Sequence, residues 1–141
     1  MIIESEYLSL TEEDTISIAK NFAKVLDFST IVYLEGNVGS GKTFFVRQIA
    51  SKFGIDNLSS STYSLISQYR GDVNLIHCDL YRLKYISEEF VDEISEMLKQ
   101  PWILFIEWPL KFLSIPCESS YIVNINYKSM HSRIFHINKL I

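Results

Sequence analysis

Basic residues are in short supply: 13 Lys and Arg stand against 17 Asp and Glu, a formal net charge of −4. Contacts to a phosphate backbone need clustered cations, so a dedicated nucleic-acid surface is not expected, and any link to RNA would run through a partner. Cysteine is scarcer still. Cys78 and Cys117 stand alone with no CxxC spacing, so neither a zinc site nor a disulfide framework is indicated, and buried free thiols are the simpler account. No apolar run reaches the roughly 20 residues of a membrane span. The start, Met1-Ile2-Ile3-Glu4-Ser5-Glu6, has neither a basic lead nor an apolar core, so the expectation is a cytoplasmic protein. No repeat, low-complexity tract or linker divides the 141 residues, and one domain spanning 1–141 is expected.

Glycine is also sparse, five residues. Three of them fall in Gly36-Asn37-Val38-Gly39-Ser40-Gly41-Lys42-Thr43, which fits G-x-x-x-x-G-K-[ST] at every fixed position. Glycines there let consecutive backbone N–H groups turn inward around a polyphosphate. Lys42 would neutralise β/γ-phosphate oxygens, and the Thr43 hydroxyl would ligate Mg²⁺. The flanks agree. Ser29 to Leu34 is β-branched and aromatic, as a buried strand should be. Phe44, Phe45, Val46, Ile49, Ala50 and Phe53 then recur at helical spacing, with Gly54 where a helix stops.

Taken in order, Ile2 to Leu8 predicts a first strand, and Thr11 with Asp14 resembles a capping box opening a helix whose apolar face is Ile16, Ala19, Phe22, Ala23 and Leu26. Thr11 is a cap on the simpler reading, and a candidate nucleotide contact besides. Tyr63 to Tyr69 and Val73 to Asp79 around Arg70-Gly71-Asp72 predict a β-hairpin, which mixes antiparallel strands into the sheet. Ser87-Glu88-Glu89 caps a helix with the stripe Phe90, Val91, Ile94, Met97 and Leu98, ended by Gln100-Pro101. Trp102 to Ile106 is a continuous apolar run, the pattern of a central strand buried on both faces. Tyr121 to Tyr127 and Arg133 to Ile137 about Lys128-Ser129-Met130 predict a second hairpin. The fold expected is α/β, of the phosphate-binding-loop NTPase kind: three layers, with a mixed central sheet flanked by helices.

Glu107 follows the apolar run directly, at the strand edge where ligands sit in open α/β sheets. That is the placement of a Walker B acid, which holds Mg²⁺ or orients the attacking water. Asp79 ends another apolar run and is a second outer-shell candidate, with a turn cap before Leu80-Tyr81-Arg82 as the alternative. Thr62 lies in a small polar loop, where hydroxyls can sense a γ-phosphate. Trp108 is either a partner contact or a packed ring. His77, His131 and His136 are unclustered, so strand histidines facing a polar surface are expected, and no metal site beyond nucleotide-bound Mg²⁺ is implied.

The loop at 36–43, Ser60-Ser61-Thr62-Tyr63-Ser64-Leu65, His77-Cys78-Asp79-Leu80-Tyr81-Arg82-Leu83 and Ile106-Glu107-Trp108-Pro109 together resemble the TsaE family, small bacterial ATPases of tRNA threonylcarbamoyladenosine biosynthesis. The resemblance covers nearly the whole chain. It implies an ATPase that docks on a complex of two larger partners, TsaD and TsaB, which carry out the tRNA modification, with ATP binding and hydrolysis driving docking and release. It also implies that the loop residues Gly36, Asn37, Val38, Gly39, Ser40, Gly41 and Lys42 hold ATP, and that Thr43 and Glu107 hold Mg²⁺. Thr62 matches the family's switch-like loop, Asp79 its acid, Glu107-Trp108 its Walker B-like pair, and Arg133 a late arginine near the nucleotide. Lys42, Thr62, Asp79, Glu107 and Trp108 are thus the candidate catalytic residues. The chain departs from the family at Asn37 (usually Asp), Phe44 (Thr), Ser61 (Pro) and Leu110 (acidic), changes that bear on turnover more than on binding.

Nothing in the chain resembles an arginine finger, so slow, partner-stimulated hydrolysis is expected. Two alternatives stay open at this point. One is a nucleotide-dependent binding module with negligible catalysis; the other is a small-molecule kinase, which needs an acceptor domain and lid that this short, acidic chain hardly provides.

Overall fold

The computed structural model describes residues 4–58 and 65–141. Ten elements alternate along them: β1(Glu4–Ser9), α1(Glu12–Val25), β2(Thr30–Glu35), α2(Lys42–Ser51), β3(Ile66–Arg70), β4(Asn74–Asp79), α3(Glu88–Met97), β5(Trp102–Glu107), β6(Ser119–Ser129) and β7(Ser132–Lys139). The strands form one seven-stranded sheet in the order β1-β7-β6-β2-β5-β4-β3.

β2 sits in the middle, parallel to β5 on one side and to β6 on the other. Its first five residues are buried, as are all six of β5, which explains why both read as unbroken apolar runs. The antiparallel pairs lie at the margins: β3 on β4, β7 on β6, and β1 on β7. Both hairpins expected from the alternation are present, the first from Ile66 onward, since Tyr63 and Ser64 lie outside the described residues, and the second longer than its apolar core suggested. The first strand ends at Ser9 rather than Leu8, and its expected start at Ile2 and Ile3 lies outside the described residues.

Alternation divides the sheet into two cores. Val32, Leu34, Ile103 and Phe105 face α1 and α2, while Ile31, Tyr33, Leu104 and Ile106 face α3 and the segment carrying Leu113 and Ile115. The result is the expected three-layer arrangement. On the α1/α2 side, Phe45 of α2 lies 5.1 Å from Phe135, and Phe22 of α1 meets Tyr121 edge-on at 5.1 Å. Burying each such ring contributes roughly 1.5–3 kcal/mol.

Helix starts follow their caps. Thr11 Oγ1 accepts from the Asp14 N–H at 3.1 Å while the Asp14 carboxylate accepts from the Leu10 N–H at 2.9 Å. Ser87 caps α3 by accepting from the Phe90 N–H at 3.1 Å. Among the described residues no helix is long and apolar enough to cross a membrane.

Because β2, β4 and β5 run parallel, their C-termini share one edge of the sheet. Leu34 and Asp79 both stand opposite Glu107. That register brings the 36–43 loop, Asp79 and Glu107 to one place.

Candidate active site

The chain leaves β2 into backbone of positive φ at Gly36 (153°), Gly39 (81°) and Gly41 (103°). At Gly36 the restriction is double, since a Cβ there would stand 2.5 Å from the Ile125 carbonyl oxygen and 2.6 Å from Ser40 Oγ. α2 begins at Lys42 with Gly41 as its left-handed N-cap. Its first N–H groups and positive dipole end therefore open toward the loop. Among the described residues Ser40 Oγ is the one buried side-chain polar atom without a hydrogen-bond partner, and it points to a site built for a polar occupant.

Lys42 is buried, and its ammonium donates to the carbonyls of Gly36 at 2.6 Å and Asn37 at 3.1 Å. It also lies 3.9 Å above the centre of the Trp108 ring, a cation–π contact. Burial lowers its pKa from the usual 10.5, opposed by the charges of Glu107 and Asp79. Trp108 adopts φ 57°, a left-handed conformation uncommon for a bulky residue. Its N–H is tied to the Leu34 carbonyl at 3.1 Å and its ring packs on Tyr81 at 4.9 Å. Trp108 is thus a half-buried ring inside the site.

Thr43 Oγ1 donates to Glu107, 3.0 Å from Oε2 and 3.3 Å from Oε1. Glu107 is only 3% exposed, so its carboxylate depends on protein partners. The second partner is His77, whose Nε2 contacts Oε2. This corrects the expectation that the histidines face polar surfaces, for His77 is itself 5% exposed. The cause is parity. His77 stands opposite Phe105 and Asp79 opposite Glu107, so all four share the α2 face of the sheet. Asp79 Oδ1 accepts from the Tyr81 N–H at 3.1 Å, an Asx-type turn, while its charge acts on Lys42.

The opposite flank of the loop is held by the β6–β7 hairpin. Arg133 Nε donates to the Ser40 carbonyl at 2.7 Å, and the Tyr127 hydroxyl donates to the Gly39 carbonyl. The guanidinium lies 5.1 Å from the centre of the Tyr127 ring. Thr11, Ser40, Gly41, Phe44, Met130 and Arg133 border a cavity of about 440 Å³, within the roughly 300–1,000 Å³ usual for small-molecule sites.

The sequence-predicted residues Lys42, Thr43, Asp79, Glu107 and Trp108 therefore come together on one flank of the loop, and Thr11 and Arg133 on the other. Val38 is 70% exposed and bonds through no side-chain group. Thr62 lies outside the described residues. Sequence reasoning missed His77 and Tyr127. His77 carried one usable signal, its spacing of two from Asp79, which puts both on one strand face.

A strand, a glycine-lined loop ending in Lys-Thr, a helix starting at that lysine, and an acid at the end of the neighbouring parallel strand define a protein of the phosphate-binding-loop α/β class. Residues 9–135 match the family model described as "Threonylcarbamoyl adenosine biosynthesis protein TsaE". The chain is 39% identical over 110 residues to the tRNA threonylcarbamoyladenosine biosynthesis protein TsaE of Rickettsia bellii, covering 76% of each. It is 34% identical over 136 residues to the protein of that name from Rickettsia prowazekii, covering 92% of this chain and 91% of that one. The crystal structure of YdiB from Bacillus subtilis shares the fold, with a TM-score of 0.73 at 23% identity over 99% of this chain and 88% of that one. The chain belongs to the TsaE family of threonylcarbamoyladenosine biosynthesis proteins.

Proposed function

We propose that the chain acts as a single-domain ATPase, an accessory factor in tRNA threonylcarbamoyladenosine biosynthesis that binds Mg²⁺–ATP and hydrolyses it to cycle a TsaD–TsaB complex. The observation that carries this reading is the contact of 3.0 Å between Thr43 Oγ1 and Glu107. It joins the first turn after the phosphate loop to the acid of a separate strand, and an α/β sheet brings those two together at a phosphoryl-transfer site.

The donor set fits the proposed ligand. A hydroxyl and a carboxylate offer the hard oxygens that Mg²⁺ takes, and the loop adds an ammonium, inward N–H groups and the unpartnered Ser40 hydroxyl. Mg²⁺, when bound, supplies charge neutralisation at the phosphate oxygens. Lys42 supports the β/γ-phosphates from the α2 end, and Trp108 limits where its ammonium can go. The Thr43 hydroxyl donates its hydrogen to Glu107 and keeps its lone pairs for the metal. Glu107 orients what lies beyond, and catalysis is mainly positioning and electrostatics. Arg133 and Thr11 border the cavity proposed for the rest of the nucleotide. Arg133, which borders the loop, is already engaged with the Ser40 carbonyl; slow turnover alone and faster turnover with partners follow. A cytoplasmic site of action is part of the same reading.

The test is ATP hydrolysis by the purified chain with Mg²⁺, alone and with TsaD and TsaB added. A rate that rises on their addition and disappears in Glu107→Ala supports the proposal. ATP bound but never hydrolysed overturns it in favour of a nucleotide-dependent binding module, and a phosphorylated small molecule among the products would point to a kinase.

A further inference from the structure

We infer that His77 is a positioning residue for Glu107, an inference that rests on the Mg²⁺-dependent ATPase reading. Glu107 is almost wholly buried and has two side-chain partners among the described residues, Thr43 on the loop side and His77 on the β4 side. A carboxylate only accepts, so the contact puts the hydrogen of His77 on Nε2. Thr43 Oγ1 lies 3.0 Å from Oε2 and 3.3 Å from Oε1 but has one hydrogen to give, so by itself it leaves the carboxylate free to turn about its terminal torsion. A second donor from a different strand removes that freedom. The backbone that carries the imidazole is held on both sides by the sheet, because β4 pairs with β3 at His77–Ser67 and with β5 at His77–Phe105. The arrangement is one in which a strand-borne histidine aims an acid at a cation site without touching the cation.

A purely structural histidine on this face would serve equally well as any apolar residue of its size. The geometry argues otherwise, for an apolar side chain at 77 would leave a buried carboxylate with the single Thr43 hydrogen as its donor among the described residues. His77 therefore acts on the metal's hold, through Glu107, rather than on the phosphate loop, which it does not contact among the described hydrogen bonds.

The experiment measures equilibrium binding of a non-hydrolysable ATP analogue to the full chain, by calorimetry, across a Mg²⁺ titration and in EDTA. His77→Leu should raise the Mg²⁺ concentration needed for half-maximal tightening roughly tenfold while leaving the affinity in EDTA unchanged. His77→Gln, whose amide reaches about as far as Nε2, should restore the wild-type requirement, and the shorter His77→Asn should not. In a Glu107→Gln background, replacing His77 should change nothing further. A folded His77→Leu with a wild-type Mg²⁺ requirement overturns the inference, as does an equal loss with and without Mg²⁺. Should the leucine variant not fold, matching requirements in the Asn and Gln variants overturn it instead. Wild-type binding that shows no response to Mg²⁺ overturns the ATPase reading and this inference with it, whereas a normal wild-type response shared by the variants overturns this inference alone.

Discussion

The two flanks of the phosphate loop are built from unlike materials. Toward β4 and β5 the loop's own side chains are engaged: Lys42 by Trp108, Thr43 by Glu107, and Glu107 in turn by His77. Toward β6 and β7, among the described residues, only its carbonyls are engaged, Gly39 by Tyr127 and Ser40 by Arg133. A group that holds a side chain controls what that side chain can do to a ligand. A group that holds a carbonyl controls the path of the backbone, and so the direction of the opposing N–H groups. The first flank should govern reaction, the second the affinity of the cradle.

The comparison can be broken by measurement. Glu107→Gln should lower partner-stimulated hydrolysis on the order of 10²–10³-fold at saturating Mg²⁺. Nucleotide affinity by calorimetry should change little; if binding disappears with turnover, the division between flanks is wrong. Gly36→Ala presses a methyl against the Ile125 carbonyl, and backbone strain of about 2 kcal/mol should weaken nucleotide binding roughly thirtyfold and lower the denaturant midpoint. Arg133→Ala removes a charged donor from the Ser40 carbonyl. It should cost about tenfold in affinity while the turnover of bound ATP holds; a turnover defect with normal affinity would move Arg133 to the reactive flank. Tyr127→Phe should have the smallest effect, about threefold in affinity. In an Arg133→Ala background it should cost less than that, because ring and guanidinium support one another.

The same contrast explains what the chain reveals before it folds. The strand, loop and helix around residues 36–43, and the apolar run that delivers Glu107, are local patterns whose meaning survives without knowledge of neighbours. The capping of α1 by Thr11 and of α3 by Ser87 is equally local. His77 is different. Its burial follows from β4 lying beside β5 with His77 opposite Phe105, and alternation states which residues share a face without stating which strand comes next. Tyr127 was hidden for a related reason. It looks like one more aromatic in a hairpin until β6 is set against β2, with Asn124 opposite Glu35, which brings the hairpin's far end over the loop. Lys42, Thr43 and Glu107 sit in short motifs, while His77 and Tyr127 take their roles from strand neighbours that only the sheet order supplies.

Trp108 beneath the Lys42 ammonium also has a spectroscopic meaning. The chain has two tryptophans, and the other, Trp102, is locked in the core on the α3 side of the sheet at 4% exposure. Indole emission is sensitive to a nearby positive charge, so any event that moves the lysine changes the light from one ring and leaves the other as an internal standard. The protein carries its own optical gauge of the phosphate loop, with no label to attach.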